Sequence, residues 1–187
     1  MNFARVLVCV AVVIALHGCK KEENLPVPNI TNGDFESWTS VDELQGWKSN
    51  SCPTCSPDFQ TYVIQKTTEA YHGRYAAKIV YNGVFCATAS TKLAIATHPD
   101  NLTGFVKCQL NPGDSVSIKV RVYSNNTVVD SGRWVNRESI SAYKQIVIPV
   151  SHSSTHADSV KVSVRGGTIR GDNGNGSVMW VDYFSFH

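Results

Sequence analysis

The sequence predicts an all-β protein, a two-sheet antiparallel β-sandwich of the jelly-roll kind. Apolar and polar residues alternate with period two, and no window of helical length carries a 3.6-residue period. Turn chemistry recurs at short intervals. Charged residues make up only 17% of the chain, which suits the Ser-, Thr-, Asn- and Val-rich surface of an exported β-protein.

The first element is a leader. Arg5 provides a short positive region and Val6 to Leu16 an apolar run, too short for the roughly 20 residues of a membrane-spanning helix. The run closes on Leu16-His17-Gly18-Cys19, which resembles the lipobox of bacterial lipoproteins. That resemblance implies removal of residues 1–18 and lipidation of Cys19. Several acyl chains on one residue anchor stably where a single chain holds only marginally, so the membrane is met through the lipid alone. Residues 19–28 then form a polar tether, whose Lys20-Lys21-Glu22-Glu23-Asn24 is similar to tags that direct lipoproteins to the outer face of the outer membrane. The same residues also read as a plain solvated spacer.

Residues 29–187 have the length of one jelly-roll domain. Expected strands are Phe59 to Thr67, Tyr75 to Tyr81, Thr91 to Thr97, Phe105 to Leu110, Val116 to Val122, Thr127 to Ser131, Tyr143 to Val150, Val160 to Val164 and Val178 to Phe186. Val116, Ile118, Val120 and Val122 alternate with Ser117, Lys119 and Arg121, and Val160, Val162 and Val164 with Lys161, Ser163 and Arg165, the pattern of a sheet with one buried face. Asn82-Gly83, Asn111-Pro112-Gly113-Asp114, Asn125-Asn126, Gly166-Gly167 and Gly171-Asp172-Asn173-Gly174 mark the turns between them.

The formal charge of +2 gives no support to a nucleic-acid partner. Of the six cysteines, Cys9 lies in the leader and Cys19 carries lipid, leaving Cys52, Cys55, Cys86 and Cys108. An even set beyond an oxidising export step suggests two disulfides, with the pairing open. Cys52-Pro53-Thr54-Cys55 also has redox-motif spacing, but its Ser- and Pro-rich surroundings describe a loop and not a strand-to-helix turn. A four-cysteine zinc site lacks a second paired spacing.

Three segments, Asn32-Gly33-Asp34-Phe35-Glu36-Ser37-Trp38 with Gly46-Trp47, Tyr71-His72-Gly73-Arg74-Tyr75-Ala76-Ala77-Lys78-Ile79, and Gly176-Ser177-Val178-Met179-Trp180-Val181-Asp182-Tyr183-Phe184-Ser185-Phe186, together resemble the galactose-binding-like jelly rolls of calcium-bearing carbohydrate-binding modules. The resemblance implies that the first and last segments lie side by side. It also implies that Glu36 and Asp182 help hold a structural calcium with carbonyls from the turn at His72 and Gly73. The plainer alternative makes the two acids polar rim residues bonded to nearby amides.

A glycan ligand calls for exposed aromatic faces with polar neighbours. Trp134, set among Arg133, Asn136, Arg137 and Glu138, is the first stacking candidate, with Tyr123 and Tyr143 next and Arg133, Asn136 and Arg137 as donors. An aromatic lid over the sandwich edge is the competing reading. Lys119, Arg121, Lys161 and Arg165 face outward together, either as a basic face for an acidic polysaccharide or as a solvated face resisting aggregation.

No enzyme is expected. Hydrolysis of glycosides needs two suitably separated carboxyls, and Asp34, Glu36 and Asp182 belong to the expected ion site while nothing pairs Glu69 with Glu138. His152 and His156 lie in a Ser-rich loop without a third ligand. The expected function is retention of polysaccharide or oligosaccharide at the cell envelope beside companion glycan-processing proteins. The alternative is a structural or adhesion lipoprotein of the same shape that binds a protein partner.

Overall fold

The computed structural model describes residues 29–51, 63–80, 87–153, 156–167 and 177–187. The leader, Cys19, the tether, Cys52, Cys55 and Cys86 lie outside them, as does the first part of the expected strand Phe59 to Thr67.

Among the described residues, ten strands form two antiparallel sheets. They are β1 (Lys48–Ser49), β2 (Ile64–Thr67), β3 (Ala76–Val80), β4 (Ala87–Ala94), β5 (Asn101–Gln109), β6 (Val116–Ser124), β7 (Thr127–Asn136), β8 (Ile140–Pro149), β9 (Ser159–Gly166) and β10 (Val178–Phe186). One sheet has the order β1-β4-β9-β6-β7 and the other β2-β3-β10-β5-β8. Most neighbours are not consecutive in the chain, the hallmark of a jelly roll rather than a meander.

Alternation positions the core. Val116, Ile118, Val120 and Val122 of β6 and Val160, Val162 and Val164 of β9 are at most 1% exposed. Each such side chain contributes about 1.5–3 kcal/mol on burial. They meet Ile79, Leu102, Val106, Ile148, Met179 and Val181 from the facing sheet.

Several elements depart from the expectation: β5 begins at Asn101 and not Phe105, β8 spans Ile140–Pro149 and not Tyr143 to Val150, and β1 has no expected counterpart. β7 runs to Asn136 instead of ending at Ser131, so Trp134 lies within a strand. The strand expected at Thr91 to Thr97 begins earlier, at Ala87, because its ladder with β9 holds from Ala87↔Gly166 to Ala94↔Ser159.

The chain's opening segment seals against its last strand. The Phe184 amide donates to the Gly33 carbonyl at 2.7 Å, and Asn29 exchanges two hydrogen bonds with the Phe186 backbone at 2.7 and 3.0 Å. Asn32 ties the turn that makes this possible, its side chain bonding the Ser37 amide and the Ser37 and Gln45 carbonyls.

Candidate functional site

Two places on the sandwich concentrate polar chemistry. The first is a carboxylate clamp. Glu36 Oε1 accepts the amides of Arg74 and Tyr75 at 2.7 and 2.8 Å, while Asp182 Oδ2 accepts those of Tyr71 and His72 at 2.8 and 3.0 Å. One acid from the opening segment and one from the closing strand thus fasten a single turn. Gly73 sits between them at φ +67°, where an added Cβ would stand 2.3 Å from Glu36 Oε1.

The β-bulge beyond Asp182 and the left-handed Tyr183 (φ +54°) break the regular ladder here. Asp182 is fully buried, and its Oδ1 has no hydrogen-bond partner among the described residues. Burial pushes its carboxyl up to about 7; the amides of His72, Tyr71 and Tyr183 pull it down, and the nearby Glu36 charge raises it further.

An orphaned buried carboxylate oxygen is what a hard cation satisfies. Among the described residues no three His, Cys, Asp or Glu side chains converge on one point. Glu36 and Asp182 therefore fit a calcium ion only with backbone carbonyls completing the shell.

The second place is a groove of about 420 Å³ on the open face of the β1-β4-β9-β6-β7 sheet. Lys119, Arg121, Arg133, Lys161 and Arg165 line it, with Ser90, Ser117 and Ser163 between them. Register explains the gathering: Lys161 pairs with Arg121, Arg165 with Ser117, and Lys119 with Ser163 on one side and Arg133 on the other. Among the described residues, none that lines it is acidic or aromatic.

The aromatic candidates disperse. Tyr123 continues the outward row of β6 past Arg121, with Lys92 Nζ 4.5 Å from its ring centroid. Arg133 lies on the groove face, and Arg137 is exposed just past the end of β7.

Trp134 points the other way: it pairs with inward-facing Ile118, is half-buried, and packs against the core. Asn136 lies on the same inner side, its amide nitrogen directed to Cys108 Sγ at 3.3 Å and to the Glu138 carbonyl. Cys108, which the cysteine count placed in a disulfide, carries a free, buried thiol that donates to the Glu138 carbonyl at 3.3 Å; burial pushes its pKa up.

Tyr143 belongs to the opposite sheet. Its hydroxyl donates to the Glu69 carbonyl at 2.7 Å, and burial pushes its phenol well above the ordinary range. Nearby, Tyr71 stacks on Phe105 with centroids 3.5 Å apart, and Lys78 and Lys107 lie over Trp180 at 5.7 and 4.3 Å. Lys107 also pairs with Glu69, so the cations of that face already have partners.

The composition of segment 131–138 hid the direction of Trp134, whose charged neighbours sit on the other side of the strand. Arg133's place on the groove was the missed feature; its signal was the alternation of β7 carried on from β6.

No family model matches the chain, and no curated protein does. Solved structures do. A structure of carbohydrate-binding modules of the β-sandwich superfamily, of promiscuous specificity, superposes with TM-score 0.57 at 14% identity over 86% of this chain. The chain spans 62% of that protein's length. A family 16 carbohydrate-binding module matches with TM-score 0.50 at 21% identity, over 84% of this chain and 98% of its own. A cyclase from Fischerella sp. TAU, in complex with 4-(1H-indol-3-yl)butan-2-one, matches with TM-score 0.53 at 13% identity, over 86% and 96%. The class this defines is the β-sandwich jelly roll shared by carbohydrate-binding modules and by at least one enzyme. At such identities the likeness establishes the fold, and function rests on the site.

Proposed function

We propose that this protein is a non-catalytic carbohydrate-binding lipoprotein that retains polysaccharide or oligosaccharide at the outer membrane, facing the cell surface. The observation that carries the reading is the open groove on the β1-β4-β9-β6-β7 face, whose serine hydroxyls and cationic donors are set out to meet sugar oxygens. The likeness to carbohydrate-binding modules accords with it.

Anchorage is inferred from Cys19 and its apolar leader. Held at the membrane by its lipid, the domain would keep substrate near companion glycan-processing proteins. A structural calcium at Glu36 and Asp182 belongs to the same reading: the ion would supply positive charge to the orphaned Asp182 Oδ1 and lock the opening segment, the turn at Tyr71 to Tyr75 and the last strand together.

A glycan array probed with the purified protein, with and without calcium, tests this. Retention of at least one glycan class supports it; no retention of any glycan while an envelope protein is captured specifically would favour the adhesion alternative.

A further inference from the structure

We infer that the groove selects anionic glycans, those carrying carboxylate or sulfate groups along the chain. The inference deepens the carbohydrate-binding reading and rests on it.

The cations stand where a sheet gains nothing from them. Lys161 and Arg121 are direct cross-strand partners, as are Lys119 and Arg133. Strands are about 4.8 Å apart, and like charges placed opposite one another destabilise a sheet. Lysines on edge strands guard against edge-to-edge pairing, but β9 and β6 are interior strands of this sheet. Four of the five groove cations lie on those two interior strands. That guard therefore does not account for them.

Nor does overall basicity. The whole chain is only +2, yet five of its 17 Lys and Arg residues line this one groove. Lys119, Arg121, Arg133 and Lys161 form no ion pair among the described residues. The facing sheet is the contrast, since its Lys107 has both Glu69 and the Trp180 ring.

The lining also says what kind of anion fits. From Arg165 to Lys161 the row runs about 13 Å along β9, longer than a single small anion needs. Among the described residues no aromatic ring lines it, which gives no sign of the stacking platform on which single-stranded nucleic acids bind. The same lack leaves little to hold a neutral sugar by its C–H face. What remains is charge, with Ser117 and Ser163 set between the cations to bond ring hydroxyls. Arginine forks take carboxylate or sulfate oxygens two at a time.

The test uses the full purified chain and four probes: oligogalacturonate, a sulfated galactan oligosaccharide, a carboxyl-reduced form of the first, and oligo-dT. Affinities are read by calorimetry at low and high NaCl. The expected result is binding of one or both anionic sugars, at least tenfold tighter than the reduced form and weakened by salt; which one binds identifies the anionic group.

Arg121→Gln with Lys161→Gln should lose at least tenfold in affinity while melting at the same temperature or higher, since the pair of substitutions relieves a like-charge contact. Lys144→Gln, on the other sheet, should bind as the unsubstituted protein does. Equal, salt-insensitive binding of the reduced oligosaccharide overturns the anion inference and leaves the glycan reading standing. Binding of oligo-dT as tight as that of either anionic sugar overturns the inference by showing a surface for any polyanion. No binding of either anionic sugar overturns the anion inference; the glycan reading is decided separately, by the array.

Discussion

Phe35 and Phe184 meet edge to face, their ring centroids 5.4 Å apart, although one lies in the opening segment and the other in the final strand. Trp47 closes the cluster at 5.2 and 6.3 Å from the two rings. This contact brings Glu36, next to Phe35, and Asp182, two residues before Phe184, to the same turn. The Phe184 ring also fills the space above Gly104, where an added Cβ would stand 2.1 Å from a ring carbon.

Phe184→Ala is therefore expected to cost about 3–5 kcal/mol. Gly104→Ala should destabilise through overpacking by about 1–3 kcal/mol. Chemical denaturation of both variants measures this; a loss below about 1 kcal/mol for Phe184→Ala would contradict the seal.

Gly73→Ala strains the turn twice, through φ +67° and through collision with Glu36 Oε1. The expected loss is about 1–3 kcal/mol. Thermal melting should show it, together with a weakened response to calcium.

Asp182 makes stability depend on pH. Its folded carboxyl, raised from 3.8 to about 7, holds a proton more tightly than in the unfolded chain. The group's favourable contribution is then full below its unfolded value and is lost as pH rises through about 7, up to about 4 kcal/mol in all. Without calcium, the melting temperature should fall between pH 5 and pH 8, and Asp182→Asn should flatten that slope. Millimolar calcium, which favours the ionised form, should raise the melting point more at pH 8 than at pH 5. No shift with calcium at either pH would remove the ion from Glu36 and Asp182.

The β6 and β7 pattern separates two aromatic residues that the sequence offers as stacking candidates, Trp134 first and Tyr123 next. Trp134 is half-buried against the core, so Trp134→Ala should lose about 2–4 kcal/mol of stability. Tyr123→Ala, on the groove's side of the sheet, should keep its stability and weaken glycan binding by about 1 kcal/mol, roughly fivefold. Paired melting and binding curves decide; the reverse pattern would move the ligand to the sandwich edge.

Asp130 is buried beneath the loop that carries Ser151 and Ser153. It accepts both hydroxyls and lies 3.1 Å from His98 Nε2. Asp130→Ala should cost about 2–4 kcal/mol by leaving buried donors unmatched. Denaturation midpoints check this, with little change expected in glycan affinity.

Much of the architecture was legible because alternation is a local property. The expected strand Val178 to Phe186 coincides with β10, and the Val rows of β6 and β9 face the core as the pattern required. The residues of the groove were partly legible for the same reason: Lys119, Arg121, Lys161 and Arg165 share the outward parity. The groove itself was not, because β9 pairs with β4 and β6 and not with its neighbours in sequence. Long-range pairing of that kind leaves no local trace. Arg133 joined only through the β6–β7 register, and Trp134 misled because a mixed polar segment reads as a loop when it is an edge strand with one wet side. The carboxylate clamp was visible through resemblance, while the orphaned Asp182 oxygen required the fold.

A crystal structure of the protein with its best-bound oligosaccharide puts the central claim to the most direct test. The expected density lies along the β9 and β6 face, over Arg121 and Lys161 with an end near Tyr123. Density on the opposite sheet beside Trp180 and Tyr143 would contradict it.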